Sequence, residues 1–356
     1  VPMLEPLPES LPLSGAHSVA VIGAGLSGLA CGQQLANQGV KVALFDKARG
    51  PGGRMSSKRR PSATLDLGAQ AFTVRDPHFA NKVAEWQAAG CVARWPTSCY
   101  QASASGWQTH SDAQLRYTGT PSMSALTRHL ADTLNALPNA SITFQTHIAT
   151  LDKTAAGWQL HDTRGSSHGP FDMVVISAPP PQAKALLAAW EPTLAAACEA
   201  KPQRGCWAGW VIFEKPFPPM AKVDAAWHTV HTQHPALRLA SRNHTKPGRE
   251  HQPESISLLA QLDWSDAHIE SDSDSVAQQL LAAFVSLLPD DAELPNVLDL
   301  GAHRWRYAQP AQAGHQAYLY STSGLALCGD SFKGSRVEDA WLSGDELGKA
   351  LLGRSV

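Results

Sequence analysis

The chain has 356 residues, of which 29 are lysine or arginine and 31 are aspartate or glutamate, for a formal net charge of −2. A chain of this length exceeds the size at which one hydrophobic core usually stops growing, so we expect two domains. The balanced charge argues against a nucleic-acid-binding surface. The sequence also has no run of apolar residues long enough to predict a transmembrane helix or a membrane partner.

The six cysteines are irregularly spaced and include no C-x-x-C pair, so they predict neither a disulfide framework nor a zinc site. The first sixteen residues lack the basic region and the continuous apolar region of a secretory signal. Both observations indicate a reducing, cytoplasmic location. Because residues 1–16 contain four prolines, we interpret them as a flexible arm.

The first predicted elements form a strand, a glycine turn, a helix and a second strand. Residues 19–22 are apolar, residues 26–35 have helical spacing, and residues 40–45 predict the next strand, which completes a parallel βαβ unit.

The glycine turn has the G-x-G-x-x-G spacing, formed by Gly23, Gly25 and Gly28. Placed after a strand and at the start of a helix, these glycines allow the turn, the approach of a pyrophosphate and close helix packing. The helix N-terminus then faces the phosphates. Asp46, at the end of the second strand, is placed to accept hydrogen bonds from a ribose. This pattern predicts a dinucleotide but does not choose between NAD and FAD.

Two later segments favour FAD. Gly52 and Gly53, followed by Arg54, predict a second backbone approach and a guanidinium for a pyrophosphate. Near the other end, Asp330 follows a predicted strand and is placed to bind a ribityl hydroxyl. The sequence "SRVE" at residues 335–338 predicts a capping box, and the positive end of that helix suits the anion of a reduced flavin.

The remaining elements are predicted in chain order. They are irregular chain over 65–79, an amphipathic helix over 121–134, a hairpin or meander over 141–162, a buried strand over 172–180, a helix over 276–287, a buried strand over 324–330 and a helix over 335–352.

Both chain ends therefore resemble parts of one nucleotide-binding domain. We predict an α/β fold (α+β overall) with a discontinuous FAD-binding Rossmann-like domain and a mixed-sheet substrate domain. The predicted FAD-binding domain comprises residues 17–85, 121–180 and 300–356, and the predicted substrate domain comprises residues 86–120 and 181–299.

Five segments, in this order, resemble the bacterial renalases, a branch of the flavin amine oxidase superfamily: "GRMSSKRR", "DLGAQAFTVRDPHF", "NHTKPGR", "HRWRYAQP" and "GSRVEDAWLSG". The resemblance spans nearly the whole chain from residue 19 onward. It implies a noncovalent FAD oxidase of the p-hydroxybenzoate hydroxylase or amine oxidase type. The implied substrates are 2- or 6-dihydro isomers of NAD(P)H, which are oxidised to NAD(P)+ while oxygen becomes hydrogen peroxide.

The resemblance also implies site residues, which are carried over position by position. The implied FAD-binding residues are Gly23, Gly25, Gly28, Asp46, Lys47, Gly53, Arg54, Gly68, Ala69, Gln70, Ile148, Gly329, Asp330 and Val337. The implied catalytic residues, which line the reactive side of the flavin, are Gln70, Trp305 and Tyr307. Ala71 departs from the family pattern, which has an aromatic residue there, and this puts the shape of the pocket and the preferred substrate in doubt.

Strand alternation in "HRWRYAQP" predicts His303, Trp305 and Tyr307 on one face and Arg304 and Arg306 on the other. An aromatic face suits the near-stacked geometry that hydride transfer from a nicotinamide ring requires. The alternative is ordinary core packing. Such a hydride transfer needs no strong base, so no essential acid or base is expected.

Two further groups of basic residues are each open to two interpretations. Lys246 belongs to a motif, and we expect it on a loop before Pro247 rather than in catalysis. The run Lys58, Arg59 and Arg60 could attract substrate phosphates or could be a solvated charged loop.

The histidines of "WHTVHTQH", at positions 228, 231 and 234, do not have the spacing of a metal site on a strand, so no metal is predicted. Cys328, beside Gly329, is expected to be a buried strand residue.

Two other functions stay open at this point. One is amine oxidation or another FAD-dependent oxidoreduction on the same fold, and the other is a flavin-bearing sensor or binding protein without turnover. The preference for NAD or NADP forms, and a monomeric or dimeric state, are also left open.

Overall fold

The structure is a computed structural model that describes residues 12–96, 98–312, 314 and 316–354. The strands of this part of the chain are β1 (Ser18–Ile22), β2 (Lys41–Phe45), β3 (Ser57–Arg59), β4 (Thr64–Asp66), β5 (Phe72–Thr73), β6 (Val92–Arg94), β7 (Cys99–Ser103), β8 (Gly106–His110), β9 (Arg116–Gly119), β10 (Ala140–Thr143), β11 (Ile148–Thr154), β12 (Gly157–Asp162), β13 (Ser167–Phe171), β14 (Met173–Ile176), β15 (Gln203–Phe213), β16 (Thr229–Thr232), β17 (Leu237–Arg242), β18 (Ser255–Ala260), β19 (Val297–Pro310), β20 (Tyr318–Tyr320) and β21 (Leu325–Cys328).

The α-helices are α1 (Leu26–Asn37), α2 (Pro77–Ala88), α3 (Ser124–Asn135), α4 (Pro180–Leu187), α5 (Pro192–Glu199), α6 (Leu262–Ala267), α7 (Ser273–Ser286), α8 (Asp330–Lys333) and α9 (Val337–Leu351). Two single 3-10 turns lie at Gly53–Met55 and Asn243–Thr245.

The first compact unit comprises Val1–Gly53, Thr127–Gln203 and Gln309–Val356. Its six-stranded sheet has the order β10-β2-β1-β14-β21-β20, in which β20 is antiparallel to β21 and the other pairs are parallel. Apolar side chains of α1 and α9 pack on one face of this sheet. The antiparallel sheet β11-β12-β13 packs with α4 and α5 on the other face. This arrangement is a doubly covered nucleotide-binding sheet.

The second compact unit comprises Arg54–Leu126 and Arg204–Ala308. Its seven-stranded sheet has the order β19-β15-β18-β17-β16-β7-β8. Helix α7 packs through Val276, Leu280 and Phe284 into the core of this unit. A separate apolar cluster joins Leu65 and Leu67, at β4, to Trp210 of β15. The unit also contains the small sheet β5-β9-β6.

The predicted fold class, an α/β fold with a Rossmann-like domain and mixed sheets, is confirmed. The first βαβ unit, the amphipathic helix α3, the buried strands β14 and β21 and the helices α7 and α9 lie where the sequence predicts them, with ends that differ by a few residues.

Two predicted elements differ from the structure. The segment 65–79 is not wholly irregular, because α2 begins at Pro77. The Asp76 carboxylate caps this helix by accepting from the backbone N–H groups of His78 and Phe79 at 2.8 and 3.0 Å. The predicted hairpin over 141–162 is also only partly correct. Strand β10 pairs in parallel with β2, and the antiparallel hairpin consists of β11 and β12.

The compact units and the predicted domains have different boundaries. Residues 54–85, 121–126 and 300–308, which we assigned to the FAD-binding domain, belong to the second unit, in which β4 and β19 pack with the seven-stranded sheet. Residues 181–203, which we assigned to the substrate domain, belong to the first unit. Which residues form the FAD-binding domain in the functional sense stays a prediction.

Residues 1–11 of the predicted arm lie outside the described residues. The end of that segment is not loose, because Leu13 is buried and its N–H donates to the Leu351 carbonyl at 2.8 Å.

Within the described residues, no helix is both long and apolar enough to cross a membrane. The six cysteines are free thiols, five of them buried, and Cys328 is in the core as expected.

Candidate cofactor-binding and active site

The glycine turn between β1 and α1 has the geometry of a phosphate cradle. Gly23 has a φ of +112°, which favours glycine, and a Cβ at Gly28 would lie 2.1 Å from the Gly23 carbonyl oxygen. A Cβ at Gly25, in contrast, would meet no atom within 4 Å. Gly25 is the N-cap of α1, and no side chain caps the helix there. The N-terminus of α1 therefore faces open space with its backbone N–H groups available to an anion.

Asp46 ties the glycine turn to the end of β2. One carboxylate oxygen accepts from the Ala24 N–H and the other from the Ala48 N–H, both at 2.7 Å. Because each carboxylate oxygen has two lone pairs, the side chain retains capacity to accept from a ribose hydroxyl. The sequence predicted that Asp46 accepts from a ribose, but it did not indicate the hydrogen bonds to the backbone.

A second glycine pair lies against the first turn. The Gly52 N–H donates to the Ala24 carbonyl at 3.1 Å, and a Cβ at Gly53 would lie 3.6 Å from the Gly25 Cα. Gly53 has a φ of +51°. Two backbone segments without side chains thus converge on the N-terminus of α1, and the approach of Gly52 and Gly53 to a pyrophosphate stays a prediction.

The loop after β21 is open in a similar way. Gly329 has a φ of +143°, a Cβ there would meet none of the described residues within 4 Å, and its N–H donates to the Ser343 Oγ at 2.8 Å. Asp330 follows at the start of α8 and is 6% exposed. A Cβ at Gly344 of α9 would lie 1.9 Å from the Ser27 carbonyl oxygen of α1, so α9 packs closely on α1.

The predicted capping box at Ser335 and Glu338 is wrong by one residue. Arg336 is the N-cap of α9, and its N–H donates to the Asp339 carboxylate at 3.2 Å. The Arg336 guanidinium pairs with both Glu338 and Asp339. Because Arg336 keeps an extended backbone with ψ of 156°, the helix begins at Val337. Two carboxylates in the first turn offset the positive helix end that we expected beneath a flavin.

The other predicted cofactor residues of this unit are more scattered. Ile148 is buried at the start of β11, where it pairs with Asp162, and Lys47 is exposed after β2. Nothing in their contacts tests the roles that the resemblance implies.

The residues of this unit fit a dinucleotide cofactor. A Cβ at Gly25 or Gly329 would fill space that the structure leaves open, and α1 has no acidic residue in its first turn. Asp46 supplies a carboxylate beside the glycine turn, and Asp330 supplies one directly after Gly329. A pyrophosphate would be held by backbone N–H groups at Gly25 and by the helix dipole.

In the second unit, Gln70 is held in one orientation. Its Nε2 donates to the carbonyls of Asp66 and Gly68, at 2.6 and 3.2 Å, and its Oε1 accepts from Lys246 Nζ at 3.2 Å. Lysine only donates and carbonyls only accept, so these partners fix the amide orientation. Gln70 is 7% exposed.

The backbone beside Gln70 is tightly packed against Arg54. The Ala69 N–H donates to the Arg54 carbonyl at 3.1 Å, and a Cβ at Gly68 would lie 1.9 Å from that oxygen. The Arg54 guanidinium donates to the Ala308 carbonyl at 3.0 Å. The structure thus brings together Arg54, Gly68, Ala69 and Gln70.

A buried cluster of charged side chains contacts Gln70 through Lys246. The Asp66 carboxylate accepts from Lys246 Nζ at 3.0 Å and from Arg249 at 2.6 Å, and the side chains of all three residues are fully buried. Burial alone would raise the pKa of Asp66, but these two cations and the hydrogen bond from the Met123 N–H outweigh it and lower the pKa to about 2.

Burial, with the nearby charge of Arg249, lowers the pKa of Lys246 to about 8 despite the Asp66 carboxylate. Its ammonium also lies 5.3 Å from the centre of the Trp95 ring. Lys246 lies after the 3-10 turn Asn243–Thr245 and before Pro247, on a loop as we expected, and its burial is a feature that the sequence did not indicate. Sequence reasoning missed Asp66 and Arg249, because their pairing joins segments 183 residues apart.

Strand β19 has the predicted alternation at its aromatic segment. His303 and Trp305 contact each other with ring centres 4.5 Å apart, and the Trp305 Nε1 donates to the Leu67 carbonyl at 3.0 Å. Arg304 instead donates to the Ile269 carbonyl, and Arg306 pairs with Glu270. The structure thus brings Trp305 to the Leu67–Gln70 segment.

Tyr307, two residues further along the same strand, is half-buried. The catalytic role implied for it stays a prediction.

The three histidines at 228, 231 and 234 have other partners. The Nδ1 atoms of His228 and His234 accept backbone N–H bonds from Ser98 and Ala236, at 2.7 and 3.0 Å, and His231 lies beside His110. In the part of the chain that the structure describes, no group of three or more His, Cys, Asp or Glu side chains could hold a metal ion.

The fold and the cradle define a protein with a Rossmann-like domain for a dinucleotide cofactor, and the family match identifies this cofactor as FAD. Residues 21–86 match the family model of the NAD(P)-binding Rossmann-like domain, and residues 81–347 match that of the flavin containing amine oxidoreductases. The chain belongs to the flavin containing amine oxidoreductase family.

Two curated relatives match a short segment. Hydroxyneurosporene desaturase of Rubrivivax gelatinosus is 44% identical over 59 residues, which are 17% of this chain and 11% of that protein. A 4,4'-diapophytoene desaturase of Staphylococcus aureus (strain Newman) is 44% identical over 58 residues, 16% of this chain and 12% of that enzyme. The match thus spans about a tenth of each relative's length.

Solved structures show the same fold over nearly the whole chain. A protein of Exiguobacterium sp. 255-15, provisionally assigned as protoporphyrinogen oxidase, has a TM-score of 0.75 at 11% identity and covers 96% of this chain and 99% of its own. Reduced UDP-galactopyranose mutase has a TM-score of 0.70 at 10% identity, with coverage of 95% and 96%. A putrescine oxidase triple mutant has a TM-score of 0.70 at 12% identity, with coverage of 95% and 99%.

Proposed function

We propose that this flavoprotein is an oxidase of the renalase type, which oxidises 2- or 6-dihydro isomers of NAD(P)H. The overall reaction is dihydro-NAD(P) + O2 + H+ → NAD(P)+ + H2O2. When bound, FAD would supply a two-electron acceptor for the substrate hydride, at N5, and the means of reducing oxygen with those electrons. The choice of substrate rests on the five motif segments that resemble the renalases.

One observation of the structure supports this substrate most directly: the aromatic wall of His303 and Trp305 on β19. Because Trp305 donates to the Leu67 carbonyl, its indole is held in place and can orient a flat nicotinamide ring. We propose that Tyr307 extends this wall along the strand.

The polar groups beside this wall suit a reaction without a strong base. Gln70 uses its amide on backbone carbonyls and on Lys246, and Asp66 is ion-paired and fully buried. A dihydropyridine already pushes electron density toward the departing hydride, and its product is an aromatic cation. The protein contributes orientation and charge rather than proton abstraction.

The burial of Lys246 is the observation that supports a second candidate function, amine oxidation. Amine oxidases commonly combine a lysine with aromatic side chains, and Lys246 lies fully buried over the Trp95 ring. We rank it below dihydronicotinamide oxidation because Lys246 is already bonded to Asp66 and Gln70.

Steady-state peroxide formation tests the proposal against this alternative. FAD-saturated protein is incubated in air with one compound at a time. The three compounds are a borohydride-generated mixture of NADH isomers, authentic NADH and putrescine. We expect peroxide and NAD+ in equal amounts from the isomers and little from the other two. Peroxide from putrescine alone would replace the proposed function with amine oxidation. Peroxide from none of them would favour a sensor or binding role.

We propose that the substrate and oxygen are small-molecule partners of a cytoplasmic protein. Light scattering would measure the molar mass in solution and show whether the protein is a monomer or a dimer.

A further inference from the structure

The hairpin of β3 and β4 carries three consecutive cations that do not share one environment. Alternation along β3 sends Lys58 and Arg60 to the same side and Arg59 to the other. Lys58 pairs across the hairpin with Leu65, which is fully buried, whereas Arg59 is exposed. The charged run is therefore neither wholly solvated nor wholly available to a ligand.

Trp210 is the ring on which the inward pair of cations lies. Lys58 Nζ is 4.8 Å and the Arg60 guanidinium carbon 5.5 Å from its ring centre. A Cβ at Gly301 of β19 would lie 2.2 Å from this indole, so the ring packs directly on the β19 backbone. Both cations are thus fixed beside β19, the strand that carries His303 and Trp305.

The two inward cations differ in their charge balance. Arg60 is neutralised by a two-pronged ion pair with Asp299, at 2.6 and 3.1 Å. Lys58 has no carboxylate partner among the described residues, although it is half-buried. A half-buried cation without an anion is a position at which an anionic ligand gains more than it would at the open surface.

His303 supplies a second polar group in the same place. It is half-buried and makes no hydrogen bond to the residues that the structure describes. Burial first, and the positive charge of Lys58 second, lower the pKa of His303. The imidazole is therefore neutral at pH 7 and retains one ring N–H to donate. Its ring edge meets Trp305, the wall proposed for a nicotinamide ring.

We propose that Lys58 and His303 form a subsite for a phosphate carried by a planar nicotinamide-type ring that lies against Trp305. This inference rests on the proposed function, which supplies a phosphate-bearing substrate. It deepens that function by naming the part of the substrate that Lys58 holds. The competing interpretation is that Lys58 only stabilises Trp210 by a cation–π contact, and it predicts no effect on ligand binding.

Binding of an oxidised mononucleotide tests the subsite without turnover. Calorimetric titration of FAD-saturated protein with nicotinamide mononucleotide and with nicotinamide riboside gives the ratio of their dissociation constants, which isolates the phosphate. We expect the mononucleotide to bind about tenfold tighter than the riboside. The variant Lys58→Met reduces this ratio to near one, and Lys58→Arg largely restores it.

Arg59→Met is the matched control, because it removes the same charge from the next residue on the outward side of β3. We expect its ratio to stay within about twofold of the parent protein, since an exposed charge is screened by solvent. Thermal unfolding and bound FAD, measured on each variant, show that the fold is kept. If Lys58→Met unfolds the protein, Lys58→Gln is used in its place.

Three results would overturn the subsite. In the first, the ratio is unchanged in Lys58→Met. In the second, Arg59→Met reduces the ratio as much as Lys58→Met, which would indicate general charge attraction. In the third, inorganic phosphate alone binds as tightly as the mononucleotide, which would show that the ring contributes nothing. Because the titration needs no hydride transfer, absence of oxidase activity would contradict the proposed function while leaving this result intact.

Discussion

Replacing Asp66 with asparagine tests the buried charge cluster beneath Gln70. The substitution keeps the size of the side chain but removes the charge that Lys246 and Arg249 share at 3.0 and 2.6 Å. Two cations with fully buried side chains then face a neutral amide. Breaking a buried ion pair by removing one partner costs about 3–5 kcal/mol, a large part of the roughly 5–15 kcal/mol that stabilises a typical protein.

The loss of stability in Asp66→Asn depends on pH, and the sign follows from Lys246. Its pKa is already lowered to about 8 in the folded protein, and without Asp66 the pKa falls further. In the unfolded chain Lys246 stays protonated up to its ordinary pKa of 10.5. Between the lowered pKa of the variant and pH 8, the unfolded variant therefore binds more protons than the folded one. Its stability rises with pH there, and the difference from the parent protein shrinks.

Urea unfolding followed by tryptophan fluorescence at pH 6, 7 and 8 measures this difference. Asp112→Asn is the control, since Asp112 also has a pKa lowered to about 2, mainly by its hydrogen bond from Arg116, but is partly exposed. We expect the control to cost less than about 1 kcal/mol. A loss in Asp66→Asn no larger than in the control, or one that grows from pH 6 to pH 8, would refute the assigned role of the cluster.

Three further predictions concern the cradle and the aromatic wall. Gly25→Val should fold normally but lose FAD during gel filtration, because its side chain enters the open space at the N-terminus of α1. Gly28→Ala, in contrast, should lower the free energy of unfolding by about 1–3 kcal/mol, because its Cβ overpacks against the Gly23 carbonyl. Asp330→Ala should weaken FAD retention about tenfold in a fluorescence titration, and full retention would contradict its role. Trp305→Phe leaves the Leu67 carbonyl without its donor and should raise the KM for the NADH isomers while bound FAD stays constant. An unchanged KM would contradict the role of the wall.

The parts of the fold that the sequence predicts well have local signals. The first βαβ unit follows from apolar runs around Gly23, Gly25 and Gly28. The structure shows a steric reason for glycine at positions 23 and 28, whereas Gly25 leaves open space at the start of α1. The predicted N-cap of α9 was wrong by one residue. Ser335 and Arg336 each stand three residues before an acidic residue, and the extended backbone at Arg336 determines which of them is the N-cap.

The parts that the sequence does not predict depend on contacts between distant segments. Nothing near Lys246 in the chain indicates burial, because its partners Asp66 and Gln70 lie about 180 residues earlier. The unequal roles of Lys58 and Arg60 are hidden for the same reason. Asp299, which neutralises one and not the other, is 239 residues from Arg60.

Anaerobic stopped-flow reduction tests the central claim, dihydronicotinamide oxidation, most directly. The yellow protein is mixed with borohydride-generated NADH isomers, and the loss of flavin absorbance is followed near 450 nm, where oxidised flavins typically absorb. Authentic NADH and putrescine serve as controls in the same apparatus. We expect rapid bleaching by the isomers, with one NAD+ formed per flavin, and little bleaching by the controls. A flavin that stays oxidised with the isomers would contradict the claim.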